Sequence, residues 1–222
     1  MPEDDVGTPQ DGAPEDFEVL SVELKGAAGE MVRIHLSDGS FFVLHAEVFA
    51  RTGLSAGAVL DAETRARLLA RSERVRARVQ ALRLLSRAAH TRRGLARKLS
   101  ARGFGQPAIR HALARMTELG YLDDRAFAES WMRSRLSTGK DGGTALYRGL
   151  LARGVARPLA EDVVRDAYSH EEEVRNACRL VEGLSRSAAI RRLAGRGFRS
   201  RAIAAAIREI PRTARERPEG ES

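Results

Sequence analysis

The chain has 222 residues, of which 43% are apolar and 31% are charged, and its formal net charge is +8. This length allows one domain or a few small modules with real hydrophobic cores. The single cysteine, Cys178, excludes an internal disulfide framework and a multi-cysteine metal site, and it is expected to be a small buried apolar residue on a helix. With no leader at its start and no apolar run as long as the roughly 18 residues of a membrane span, the sequence predicts a soluble, cytoplasmic protein.

Charge is distributed unevenly along the chain. Residues 1–16 carry six acidic residues and no basic one, whereas residues 81–222 carry 29 basic residues against 16 acidic ones. The first segment predicts a disordered acidic tail, and the second predicts a basic body attracted to polyanions or acidic protein surfaces. Only three of the 38 basic residues are lysines, and GC-rich coding would produce such an arginine excess without any phosphate contact.

The segment 17–60 shows the two-residue periodicity of β-strands. Three strands are predicted at 19–24, 31–36 and 41–44, with Asp38-Gly39 as a tight turn and a helical turn at 46–51. So short a segment cannot sustain much of a core alone. It is predicted to be a small β-rich module that packs on the helices after it.

A linking basic helix is predicted at 61–80, with Asp61 as its N-cap. One face of this helix carries six arginines, at positions 65, 67, 71, 74, 76 and 78. Two interpretations stay open for them: a solvated charged face, which is the commoner case, or a strip that binds anions.

An internal repeat dominates the rest of the chain. Three short basic helices end in Arg-Gly and an apolar residue, namely Arg102-Gly103-Phe104, Arg153-Gly154-Val155 and Arg196-Gly197-Phe198. Glycine at such an end supplies the left-handed cap, and the next residue folds back onto the helix. Because each is flanked by helices on both sides, three tandem three-helix repeats are predicted, at 81–124, 125–169 and 170–211, before a disordered tail at 212–222.

Catalytic chemistry is not indicated. The five histidines are scattered without ligand spacing, and Lys140 follows Gly139 without a phosphate-binding loop pattern. One of the pair Asp123 and Asp124 is expected to cap the helix that follows, which explains these acids without catalysis. The chain is predicted to be a binding protein that is not an enzyme and holds no cofactor or metal.

The order of segments resembles the RecX family of bacterial regulatory proteins. The residues that carry the resemblance are 81–87 (ALRLLSR), 91–99 (TRRGLARKL), 102–104 (RGF), 119–124 (LGYLDD), 127–128 (FA) and 133–135 (RSR). Two positions depart from the family pattern. Where the family usually has a Gly-Pro step accompanied by basic residues, this chain has the less basic run 140–144 (KDGGT), and Gly149 stands where a glutamate is usual.

The resemblance implies a non-enzymatic modulator of the RecA recombinase. Such proteins bind RecA, alone or as a filament on single-stranded DNA, and lower its strand-exchange and ATPase activities in DNA repair and the SOS response. Their repeats form an elongated, curved helical body that lies along the filament groove. On this basis a monomer is expected that contacts RecA, with direct DNA contact open and no membrane contact. The candidate contact residues are Arg92, Arg93, Arg97, Lys98, Arg133, Arg135, Lys140, Arg148, Arg191, Arg192 and Arg196.

Two alternatives to this function stay open. Three-helix units with basic second helices can imitate helix-turn-helix domains, which would make the chain a stand-alone nucleic-acid-binding protein. Groove-reading helices usually add Asn, Gln or Ser for base edges. Alanine, glycine and leucine stand beside most of these arginines instead, which favours electrostatic contact with a backbone or a protein surface. The other alternative, an anonymous helical scaffold, explains the repeat but not the segment around Tyr121.

Overall fold

The structure, a computed structural model, describes residues 16–26 and 29–210. Within these residues, a small antiparallel sheet at the N-terminal side is accompanied by ten helices, which confirms the predicted mostly helical fold with a β-rich N-terminal module. Apart from Asp16, the predicted tails 1–16 and 212–222 lie outside the described residues. No helix in the described ranges combines the length and apolar character needed to cross a bilayer.

The sheet contains β1 (Phe17–Lys25), β2 (Met31–Leu36), β3 (Phe41–His45) and β4 (Val59–Leu60). Their order is β3-β2-β1-β4, and every pairing is antiparallel. The two-residue strand β4, which the sequence did not predict, pairs with the start of β1. Alternate residues of the strands are buried, and together with the four-residue helix α1 (Ala46–Phe49) and part of the next helix they form one core.

The helix α2 runs without a break from Ala62 to Leu85. The predicted linking helix, 61–80, and the start of the first repeat at residue 81 therefore belong to one continuous helix. No Gly or Pro interrupts its 24 residues. Asp61 accepts a hydrogen bond from the Thr64 amide at 2.5 Å, and this bond holds the pKa of the Asp61 carboxyl below its ordinary value. The predicted cap is therefore present.

Eight further helices complete the described part of the chain. They are α3 (Arg92–Ser100), α4 (Gln106–Glu118), α5 (Asp124–Leu136), α6 (Gly143–Ala152), α7 (Arg157–Ala167), α8 (His170–Leu180), α9 (Arg186–Gly195) and α10 (Ser200–Arg208). By internal contacts the chain divides into two compact units. Among the described residues, the first unit comprises those up to Leu84 together with Lys98–Glu118, and the second comprises Leu85–Arg97 together with those from Leu119 onward.

Two of the three-helix repeats have a core of their own. Helices α5 to α7 bury a cluster that includes Met132, Leu146 and Leu150, and Tyr168 closes it with a phenol whose pKa is raised by burial. Helices α8 to α10 bury a second cluster around Leu193 and Phe198. Cys178 packs half-buried against this second core, and burial raises the pKa of its thiol, which suits a packing role.

The three Arg-Gly helix ends adopt the geometry that the sequence predicts. Gly103, Gly154 and Gly197 have φ angles of +82°, +94° and +71°. At each end the residue after the glycine donates its amide hydrogen to a carbonyl five residues earlier, at 3.4, 3.1 and 3.1 Å, and that earlier residue is a fully buried leucine. A second bond, from the glycine amide to the carbonyl three residues before it, completes the Schellman motif in all three copies.

Candidate interaction surface

The start of α3 is joined to the end of α6 by a buried threonine. Thr91, whose exposed fraction is 1%, accepts a hydrogen bond from the Gly94 amide at 3.0 Å and so caps α3. Its hydroxyl also donates to the Arg153 carbonyl at 2.6 Å, at the Arg-Gly end of the next repeat. The Arg-Gly end is therefore a docking point for the preceding repeat as well as a helix cap.

The same junction recurs between α6 and α9. The Gly142 amide donates to the Arg196 carbonyl at 3.0 Å, and the Thr144 amide donates to the Gly197 carbonyl at 3.0 Å. A Cβ atom at Gly142 would lie 2.2 Å from the Cα atom of Phe198, so no larger residue fits there without moving backbone. This close approach accounts for the glycine at position 142.

An acidic residue in the first turn of a later helix closes each of these helix starts, from α5 in the first case and from α8 in the second. Asp124 Oδ1 accepts from the Arg92 amide at 2.7 Å, and Glu173 Oε1 accepts from the Gly143 amide at 2.7 Å. Asp123 meanwhile accepts from the amides at the start of α5, its own helix, at 2.9 and 3.0 Å. Of the two aspartates left open by the sequence, Asp123 thus caps the helix that follows, whereas Asp124 serves a helix some thirty residues earlier.

We expect Thr91→Val to lower the free energy of unfolding by about 1–2 kcal/mol, because it removes a cap acceptor and leaves the Arg153 carbonyl without its donor. Thr91→Ser retains the hydroxyl and is the matched control, expected to lose much less. Denaturant unfolding followed by circular dichroism measures both. Equal losses for the two variants would mean that packing of the methyl group, and not the hydroxyl, joins the repeats.

Aligning α3, α6 and α9 by their first residues shows one recurring basic position. The sixth residue is Arg97, Arg148 and Arg191 in turn, and all three side chains are exposed. The seventh residue is basic in the first and third copies, as Lys98 and Arg192, but is Gly149 in the middle copy. Equivalent positions of a repeat occupy equivalent faces, so the predicted basic surface recurs with the repeat itself.

The middle copy has a steric reason for its glycine. A Cβ atom at Gly149 would lie 2.4 Å from the Trp131 ring of α5. The Arg153 guanidinium stands 4.7 Å from the centre of the same ring and donates to the Gly149 carbonyl at 3.0 Å. At this position the middle repeat therefore has a close contact between backbone and indole.

Several of the predicted contact residues also have partners within the fold. Arg97 donates to the Ala152 carbonyl at 3.3 Å, Arg196 donates to the Lys140 carbonyl at 3.2 Å, and Arg135 forms an ion pair with Asp141. These three side chains therefore support the structure whatever else they bind.

The remaining predicted contact residues are exposed: Arg92, Arg93, Lys98, Arg133, Lys140, Arg148, Arg191 and Arg192. Within the part of the chain that the structure describes, no carboxylate pairs with Arg93, Arg148, Arg191 or Arg192, and no three His, Cys, Asp or Glu side chains cluster as they would around a metal ion. The fold and these surfaces define a protein of tandem three-helix repeats with recurrent exposed arginines.

Known proteins share this organisation. The family model described as "RecX, first three-helix domain" matches residues 77–116, and "RecX, second three-helix domain" matches residues 123–164. Regulatory protein RecX of a Thermus thermophilus strain is 39% identical over 114 residues, which are 46% of this chain and 78% of that protein. Regulatory protein RecX of Caldanaerobacter subterraneus subsp. tengcongensis is 32% identical over 146 residues, 65% of this chain and 74% of that protein.

A solved structure described as the crystal structure of regulatory protein RecX superimposes with a TM-score of 0.63, covers 87% of this chain and all of that one, and is 19% identical. At that identity the likeness concerns the fold. The sequence relatives, which are 39% and 32% identical, show the family as well as the fold. The chain belongs to the RecX family of regulatory proteins, which is not an enzyme family.

Proposed function

We propose that the protein binds the RecA recombinase, chiefly as a filament on single-stranded DNA, and lowers its ATPase and strand-exchange activities. It would act as a monomer in the cytoplasm, in DNA repair and the SOS response. Membership of a family of regulatory proteins supports the regulatory role. The observation that carries the proposal is the exposed arginine at the sixth position of the second helix in each repeat, Arg97, Arg148 and Arg191.

A repeating basic surface suits a repeating partner. A filament presents the same acidic groups at every subunit, so several weak contacts made by one chain reinforce each other through effective concentration. The residues beside Arg148 and Arg191 are glycine, tyrosine, isoleucine and a further arginine, so the Asn, Gln or Ser side chains that groove-reading helices usually add do not stand next to them. This composition favours an acidic protein surface as the partner of the repeat arginines.

The ATPase of cognate RecA on single-stranded DNA tests the proposal. We expect steady-state hydrolysis to fall as the protein is added, while the protein alone hydrolyses no ATP. RecA turnover that stays unchanged at saturating amounts of the protein would contradict the proposal.

Charge reversal tests the surface. We expect Arg191→Glu with Arg192→Glu to weaken inhibition of the RecA ATPase, with the larger loss at low salt, because salt already screens much of the attraction between exposed charges. These two arginines are better targets than Arg196, which holds the Lys140 carbonyl. The matched control, Arg157→Glu with Arg201→Glu, changes the net charge equally at exposed positions of other helices. Inhibition at the wild-type level by the first variant in low salt would place the interface elsewhere.

A further inference from the structure

The structure divides the six arginines between positions 65 and 78 of α2 into two groups. Four of them have partners: Arg65 stands over the rings of Phe17 and Phe42, Arg76 over Phe104, Arg78 pairs with Glu47 and Arg67 with Glu63. The other two, Arg71 and Arg74, are exposed. Four of the six side chains therefore contact aromatic rings or carboxylates of the protein, and the six arginines do not simply form a solvated charged face.

Arg71 and Arg74 line a cleft of about 490 Å³ in the first compact unit. Arg51, just after α1, and His111, on α4, complete its basic wall. Glu47 is the one carboxylate among the described residues that line the cleft, and it is paired with Arg78 at 2.8 Å. No ion pair within the described ranges neutralises Arg51, Arg71 or Arg74.

The arrangement of these charges favours a linear polyanion. Arginines at 67, 71, 74 and 78 follow the four- and three-residue steps that keep side chains on one face of a helix, and 11 residues at 1.5 Å per residue extend about 16 Å. A guanidinium presents paired donors that match phosphate oxygens. Phe, Tyr, Trp, Asn and Gln side chains are not among the described residues that line the cleft, so its lining offers mainly groups for phosphates.

We propose that this cleft binds the phosphodiester backbone of a single-stranded nucleic acid, independently of base sequence. The cleft belongs to the first compact unit, whereas Arg148, Arg191 and Arg192 belong to the second. The proposal does not depend on RecA, so binding to a bare oligonucleotide tests it separately from inhibition of the ATPase.

Fluorescence anisotropy of a labelled oligothymidylate, titrated with the full chain over a salt series, is the test. We expect Arg71→Ala with Arg74→Ala to lower affinity about tenfold at low salt and to reduce the salt slope by about 1.4, since each phosphate contact on a single strand contributes about 0.7. The matched control is Arg157→Ala with Arg201→Ala, which removes the same charge from the second unit. A single variant, Arg51→Gln, approaches the cleft from a different element and is expected to reduce the slope by about 0.7.

Three results would overturn the proposal. One is an unchanged affinity and slope in both cleft variants when circular dichroism shows them folded. Another is an equal loss in the control variant, which would reduce the effect to net charge. A third is displacement of the oligothymidylate by poly-glutamate as readily as by unlabelled oligothymidylate, which would assign the cleft to acidic protein segments.

Discussion

Alanine at Gly197 is expected to destabilise the second compact unit far more than alanine at Gly183, although both glycines have left-handed backbones, with φ angles of +71° and +73°. A left-handed conformation alone costs an alanine about 1–2 kcal/mol. At Gly183 a Cβ atom would meet nothing within 4 Å, whereas at Gly197 it would lie 2.6 Å from the backbone nitrogen of Ala145. Forcing these backbones apart adds about 1–3 kcal/mol, as overpacking does in a core.

Denaturant unfolding of Gly197→Ala and Gly183→Ala, followed by circular dichroism, measures this difference. Gly103→Ala extends the comparison, because Gly103 holds the same position in the first repeat, yet a Cβ atom there would meet nothing within 4 Å. It should therefore resemble Gly183→Ala. If alanine at Gly197 costs no more than alanine at the other two positions, the Arg-Gly end does not hold the preceding repeat.

Glu173→Ala is the second substitution for which we expect a large effect. The Glu173 side chain is fully buried, and its Oε1 accepts from the amides of Gly143 and Arg199 at 2.7 and 3.1 Å. Its Oε2 lies 3.5 Å from Arg199 Nε. Removing the carboxylate leaves two amides without their acceptor, and each buried donor left unsatisfied costs about 1–3 kcal/mol. The Arg199 guanidinium is exposed, so water replaces its lost partner at little cost.

Glu173→Gln keeps one carbonyl oxygen and should retain part of the stability. Glu171→Ala, one position after the start of the same helix and exposed, is the control, with only a small loss expected from the helix dipole. Urea titrations measure the free energy of unfolding of each variant. The expected loss of stability is largest for Glu173→Ala, smaller for Glu173→Gln and smallest for Glu171→Ala. Equal stability of Glu173→Ala and Glu171→Ala would show that the buried carboxylate does not join the two repeats.

The acid run at 171–173 shows how far sequence reasoning reaches. The sequence predicts an acidic first helical turn, and this prediction accounts for Glu172. Glu172 completes a capping box with Ser169, which the sequence can indicate because the two residues are only three positions apart. It does not describe Glu173, whose hydrogen-bond partners are 30 and 26 residues away along the chain. One signal was present at Gly142-Gly143, since paired glycines at a helix start indicate a close backbone approach, but nothing in the sequence names what approaches.

For the predicted contact residues too, the sequence predicts one part of their arrangement and the structure supplies the rest. Periodicity places Arg97, Arg148 and Arg191 on helices of the repeat, and the structure adds that they share one helical position. The sequence could not tell which arginines are engaged inside the fold. Arg196 and Arg78 look like exposed helical arginines in the sequence, yet one holds the Lys140 carbonyl and the other pairs with Glu47.

By itself the sequence determined the small sheet, the helices, the three left-handed glycine caps and the threefold repeat, because strand alternation, helical periodicity and capping act over a few neighbouring residues. Only the tertiary structure decided how repeats join and which arginines line the α2 cleft. Those properties arise where residues distant in the chain meet, as when Asp124 closes the start of α3 or Gly142 passes against Phe198. A close approach between two distant backbone segments produces no periodic pattern in the sequence. The junctions between repeats and the cleft beside α2 can therefore be seen only in the folded chain.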